Sequence, residues 1–405
     1  MIHLGKEPHW VSLSNKVYYP DDIKARYSVL MNDSVQEFEK DFAEKLSKRN
    51  FQVQNVIIQP KGLTNKNLMC FANASMQLLF ASPYFLSFAY FMKKSRNLFS
   101  PKQRALTPAW ETMSNFFDNF QFSDSSTSDG ATPSLKSLNL TKHAFPTNLE
   151  MFDDVFGMFS SKRKPLLQED AIQFLLYFLN VLHEEVLSLI SLGEPNDDET
   201  CATKLRVAGT GKKSTTLLET QGKQSPFSDI FVTLTHSNTL QNGKTRTVTK
   251  ESHLVIPLSI QNIKTLEEAI DAFVAEEKIT KEISKKSTFI SFPKSIIFGL
   301  KPFTYNVYTG KPVKLKNDVS YPEILTLKRP FDGVPINYQL SAIVEHIGQS
   351  PESGHYVCYS RRFDGAWMKF DDDNVTKMFE KEYLNKEAYL LLYNQITSFI
   401  SDDKK

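Results

Sequence analysis

An α+β fold with a cleft between two lobes is predicted by three features of this chain. Helical patterns fill the first half, strand patterns fill the second from Phe227 onward, and 405 residues with 41% hydrophobic and 12% aromatic content suffice for a large core shared by two or three subdomains. The net charge is +2, from 48 basic and 46 acidic residues. No global field therefore recruits nucleic acid or an anionic membrane surface.

Taken in order, residues 34–46 place Val35, Phe38, Phe42 and Leu46 on one helical face behind Ser34-x-x-Glu37, a capping-box pattern, and predict a docking helix ahead of the main domain. The stretch "GLTNKNLMCFANASMQLLF", residues 62–80, turns helical at Cys70, with Phe71, Ala74, Leu78 and Phe85 at core spacing and Pro83 breaking the helix late. Residues 123–134, "SDSSTSDGATPS", read as a flexible surface loop. The strongest helix spans 166–192, with Ala171, Phe174, Phe178, Leu182, Val186 and Leu189 as its buried stripe. Residues 193–226 are polar, Gly- and Thr-rich and aperiodic, which predicts a mobile insertion around Cys201.

Beyond Phe227, segments such as "FVTLTH", "SIIFGLK", "YQLSAIVEH", "HYVCYSRR", "AWMKF" and "AYLLLYN" alternate β-branched or aromatic residues, and a helix at 265–277 interrupts them. The predicted division is an N-terminal extension 1–59, a main domain 60–395 and a tail 396–405. Within the main domain, helices occupy about 60–192 and the antiparallel sheet about 227–395. Cys70, Cys201 and Cys358 are too few for a disulfide framework, and no CxxC pair exists. With no signal-peptide core in "MIHLGKEPHWVSLSNK" and an apolar stretch "YFLSFAYFM" too short to span a bilayer, the expected location is cytoplasmic, with the nucleus as a second compartment.

A thiol at a helix N-terminus with a histidine nearby can have its pKa lowered from about 8.5 to about 3.5–7.5 and become a nucleophile. A lone cysteine is otherwise a small buried hydrophobe. The partner candidate for Cys70 is His355, which follows Gly354 in "SGHYVCYSRRFDGAWMKFDDDNV". The Asp364-Gly365 turn folds this stretch into a hairpin. The tightest register sets Asp371 opposite Cys358, so a bend after Phe370 is needed to bring a carboxylate onto the imidazole. Asp371 or Asp372 would orient that ring, with Asn374 a weaker option. Strand alternation turns Cys358 to the other face, as a structural residue. Asn65, with the Cys70 backbone N–H, is the candidate oxyanion donor. "GTGKKSTT" lacks P-loop spacing, "HEEVL" lacks a second histidine, and His236 and His253 have no ligand set, so no metal site is expected.

Together these blocks resemble the ubiquitin-specific protease family of cysteine peptidases. "GLTNKNLMCFANASMQLL" resembles its cysteine box, "LQEDAIQFLLYFLNVLHEE" its Gln-x-Asp box and "GHYVCYSRRFDGAWMKFDDDNV" its histidine box, in order from about Pro60 to Tyr393. The resemblance implies a papain-like fold with a helical thumb, a β-rich palm and β fingers. It makes Cys70 the nucleophile, His355 the base and acid, Asp371 the third member, Asp372 an assistant and Asn65 the oxyanion donor. Gln168 and Asp170 would contact the ubiquitin C-terminal tail, a role that competes with a helix-start cap, while Gly354 and Tyr356 would line the slot for its Gly-Gly end. The implied activity is thiol-dependent hydrolysis after the last glycine of ubiquitin, with ubiquitinated proteins and an adaptor as partners and no cofactor. Asn67 and Met69 stand where many members have Gly and Ser or Thr, and the fingers carry no zinc cysteines. Both features are similar to a zinc-free subgroup that pairs with adaptor proteins. The rival expectations are a catalytically silent ubiquitin-binding scaffold and a peptidase for a ubiquitin-like modifier.

Overall fold

The computed structural model describes residues 33–48, 56–66, 68–120, 122–124, 145–157, 169–192, 204–208, 215–219, 224–301, 303–305, 312–315, 319–350 and 353–396. Its helices come first. α1 (Asp33–Ser47) precedes α2 (Cys70–Phe80), α3 (Pro83–Ser95), α4 (Pro108–Phe116) and the long α5 (Ala171–Ser191), and α6 (Leu266–Val274) follows later. The whole predicted stripe of α5 is buried. That helix is apolar and long enough to cross a membrane, and here its apolar stripe forms the core of the helical lobe. It also buries Glu185, whose carboxylate accepts the Ala109 and Trp110 backbone N–H groups at the start of α4. Burial pushes that carboxyl up to about 8 against those two hydrogen bonds.

α1 docks as expected, for Phe42 and Leu46 belong to the main core and the Phe42 ring stacks on Phe91 at 5.7 Å and meets Phe99 edge-on at 5.1 Å. This helix therefore braces the thumb. The side chains of Val35 and Phe38, and most of the loop expected at 123–134, lie outside the described residues. Pro83 corrects its expectation: it begins α3 behind the Ser82 cap, whose hydroxyl accepts from the Phe85 N–H at 3.1 Å. Proline at the first helical position loses no hydrogen bond, so it starts a helix as readily as it ends one.

The palm is an eight-stranded sheet built from β1 (Ile256–Ser259), β2 (Ser295–Lys301), β3 (Ile324–Lys328), β4 (Pro335–Ser350), β5 (Ser353–Arg361), β6 (Trp367–Asp371), β7 (Asn374–Lys377) and β8 (Ala388–Gln395), in the order β7-β6-β5-β4-β8-β2-β1 with β3 beside β4. Leu390 and Leu392 of β8 face the helical core, while Leu391 and Tyr393 face a second core around α6. A sheet covered on both faces explains the unbroken apolar run "AYLLLY". The sheet is not wholly antiparallel as predicted: β1 and β2 pair in parallel, because the chain between them crosses over through α6 and the fingers.

Fingers form a separate six-stranded sheet, in which Thr233–Gln241 and Lys244–His253 pair around Asn242-Gly243 at φ +50° and +74°. Asn-Gly with positive φ at both positions matches the twist of a two-residue hairpin. The expected mobile insertion is corrected in part, since Lys204–Ala208 and Thr215–Glu219 are strands, the second pairing in parallel with Lys244–His253. Cys201 lies outside the described residues. The segment from Phe227 also opens with a short helix, Pro226–Phe231, before the strands begin.

Candidate active site

Cys70 is the first residue of α2, a helix buried along its whole length between the palm and α5. The thiol is 3% exposed and hydrogen-bonds to His355. The preceding turn is held by Asn65, whose Oδ1 accepts the Met69 N–H at 2.8 Å. It passes through Leu68 at φ +60°. Asn67 lies outside the described residues. Met69 is partly buried and packs against the main core.

His355 lies near the start of β5, and its Nε2 donates to Asp371 Oδ1 at 2.7 Å, leaving Nδ1 for the thiol. The hairpin that joins them corrects the predicted register by one residue: Cys358 pairs with Phe370 and Arg361 with Trp367, across a five-residue loop containing Asp364-Gly365. A slip of one reverses the side on which each side chain stands. It puts Asp371 on the same side as His355, where the tighter register would have turned it away. The expected bend is the two-residue turn Asp372-Asp373, with Asp371 paired to Asn374 and Asp372 at φ +53°. Asn374 is the first residue of β7 and pairs with Asp371 across the turn.

Electrostatics follow from these contacts. The hydrogen bond to Cys70, with help from Asp371 and against partial burial, raises His355 to about 9. Burial pushes Asp371 up, but Lys369 at 2.8 Å and His355 outweigh it and leave that carboxyl below its ordinary range. Cys358 is buried in the core, where loss of water drives its thiol well above the usual value, as a structural role requires.

Asp372 ties the site together. Its Oδ2 accepts from Asn65 Nδ2 at 2.8 Å, its Oδ1 from Asn73 Nδ2 at 2.9 Å, and its carbonyl from the Leu63 N–H at 2.9 Å. Asn73 also donates to the Leu63 carbonyl at 3.0 Å. A Cβ on Gly62 would lie 2.3 Å from the Asp373 carbonyl oxygen, so only glycine permits this approach. Asn73 and Gly62 were not singled out in the sequence. Asn73 sits one helical turn past Cys70, and that spacing was the available signal.

Among the remaining expected residues, Asp170 caps α5 by accepting the Gln173 N–H at 2.9 Å and also receives the Tyr389 hydroxyl. Its cap reading is realised. Gln168 lies outside the described residues. Gly354 packs on His346, where a Cβ would come within 2.3 Å of Nε2. Tyr356 is 2% exposed, with its ring packed between His346 and Tyr389. His346, which the sequence reading passed over, is held neutral near 4 by burial and by the nearby Lys314 and His355 charges. Among the described residues the one group of three carboxylate and imidazole ligands is His355, Asp371 and Asp372, the site itself.

A thiol, an imidazole and a carboxylate in series beside an amide define a centre of the thiol-hydrolase type. The chain belongs to the ubiquitin carboxyl-terminal hydrolase family, whose profile matches residues 61–393. Ubiquitin hydrolase B of Dictyostelium discoideum is 31% identical over 262 residues, covering 58% of this chain and 58% of that protein. Ubiquitin carboxyl-terminal hydrolase 10-B of Xenopus laevis is 27% identical over 408 residues, covering 88% of this chain and 50% of that protein. The chain thus spans between half and three-fifths of the length of these relatives, 50% and 58%. Among solved structures, the SAGA Ubp8/Sgf11/Sus1/Sgf73 DUB module bound to ubiquitin aldehyde matches with a TM-score of 0.59 at 21% identity, over 84% of this chain and 70% of that one. A yeast structure of the same module gives 0.59 at 20% identity, over 84% and 69%. This likeness is one of fold, papain-like with thumb, palm and fingers.

Proposed function

We propose that this chain is a deubiquitinase that hydrolyses the peptide or isopeptide bond after the C-terminal glycine of ubiquitin. The observation that carries this reading is the series Cys70, His355, Asp371, closed by a 2.7 Å hydrogen bond and set beside Asn65. Cys70 attacks the glycine carbonyl as thiolate, with His355 as the imidazolium. The oxygen of the tetrahedral intermediate takes hydrogen bonds from the Cys70 N–H and from the Asn65 amide hydrogen that Asp372 does not use. His355 passes its proton to the leaving lysine amine, and the C–N bond breaks. A water deprotonated by His355 then attacks the thioester and releases ubiquitin with a free carboxylate. Asp371 keeps the ring in one tautomer throughout.

Gln168 and Asp170 are proposed to flank the ubiquitin tail, with Gly354 and Tyr356 shaping the slot from the side and from below. Ubiquitinated proteins are the substrates, an adaptor protein is the proposed partner, and the cytoplasm, with the nucleus, is the proposed location. The test is ubiquitin carrying a thiol-reactive C-terminal warhead, read by intact mass beside Cys70→Ala. A single adduct on wild type alone is expected. Binding without an adduct would favour a silent scaffold, and an adduct only with a ubiquitin-like modifier would move the substrate class.

A further inference from the structure

On the seam between thumb and palm lies a groove of about 630 Å3 that the mechanism does not use. Its floor is apolar, with Ile57, Phe80, Leu86 and Phe120 from the thumb and Phe370 from the palm. Its rim carries Lys61, Lys294, Arg361 and Arg362, and no Asp or Glu among the described residues lines it.

The cations there meet neutral oxygens. Lys61 donates to the Asn119 carbonyl at 2.6 Å, Arg361 to Gln339 Oε1 at 3.0 Å and Lys294 to Gln395 Oε1 at 3.0 Å, while Arg362 has a loose 3.8 Å pair with Asp364 outside the groove. Burial lowers the pKa of both Lys61 and Arg362. A groove of this kind selects an occupant with an apolar anchor and carboxylates close behind it.

The chain itself supplies such a segment at the groove wall. Ile396, the last described residue, lines the groove and is followed by "TSFISDDKK", residues 397–405. Phe399 lies three residues past Ile396, a reach of about 10 Å, and Asp402 and Asp403 lie about 20–25 Å along an extended chain. We propose that residues 397–405 dock in this groove, with Phe399 and Ile400 on the apolar floor and Asp402 and Asp403 against Arg361, Arg362 and Lys61. Such docking touches residues of both thumb and palm. It bears on the strap that leads through Gly62 and Leu63 to the Asp372 turn, because Gln77 already holds the Lys61 carbonyl at 2.8 Å.

The test uses the full chain with a photo-crosslinking phenylalanine in place of Phe399 and maps the crosslinked peptides. Crosslinks within one chain to 56–61, 80–86 or 360–363 are expected. Arg361→Glu with Arg362→Glu should cut their yield about fivefold, and adding Asp402→Arg with Asp403→Arg should restore it. Restoration also shows that the charge-reversed protein still folds. Crosslinks elsewhere, crosslinks joining two copies, a yield indifferent to charge reversal, or a loss that the fourfold variant fails to restore would each overturn the proposal.

Discussion

Cys70 and Cys358 are two buried thiols of one core, 3% and 0% exposed, and they face opposite chemical fates. Cys70 begins a helix, where unpaired N–H groups favour negative charge, and it hydrogen-bonds to His355. Cys358 stands mid-strand on β5, packed among apolar side chains that resist any charge. Burial alone thus does not decide whether a cysteine reacts; the field and partners at its sulfur do.

Replacing each thiol sharpens that contrast most. Cys70→Ala should abolish the ubiquitin-warhead adduct and lower kcat/KM by about 10⁴ or more with little change in melting temperature. Cys358→Ala should keep the adduct and cost about 1–2 kcal/mol in denaturant unfolding. Equal effects of the two on turnover would break the comparison.

The next largest effects concern Asn65 and Asn73. Asn65→Ala should lower kcat about 10²–10³-fold with KM nearly unchanged, since it removes a transition-state donor. Asn73→Ala should lower kcat by up to about 10²-fold by releasing Asp372 and hence the Asn65 amide. Asn73→Ala should leave the doubly substituted Asn65→Ala protein little slower, a coupling that a double-mutant cycle reads directly.

The pH profile is a finer probe. Because His355 is raised to about 9, above an ordinary 6.5, its proton contributes stability that is fully present below about 6.5 and is lost as pH rises through about 9. The kcat/KM profile should show an alkaline limb near 9, as the imidazolium of His355 loses its proton. Cys358→Ala should leave that limb in place. The smallest change is expected from Lys369→Ala, which frees Asp371 from its 2.8 Å ion pair and should move the alkaline limb upward, toward tighter proton retention.

Much of the site was legible because its chemistry demands rare residue types in fixed surroundings. A cysteine at a polar-to-helical transition, a histidine after glycine and an acidic run after an aromatic strand pointed to Cys70, His355 and Asp371. The side on which Asp371 stands was not legible, since a hairpin's register depends on loop length and a one-residue change reverses every side chain. Tyr356 shows the same limit: alternation gives it a face, and only packing shows that this face is buried against His346.

Composition and periodicity by themselves determined the α+β class, the buried stripe of α5, the docking of α1 and the unsuitability of Cys358 as nucleophile, for these depend on local spacing and on how much apolar surface a chain must hide. Only the tertiary structure decided the parallel pair of β1 and β2, the left-handed turn at Leu68 and the closure of Asn65, Asn73, Leu63 and Gly62 around Asp372. That closure joins residues about 300 positions apart through hydrogen bonds of 2.8–2.9 Å, and geometry of that kind exists only once the thumb has packed against the palm.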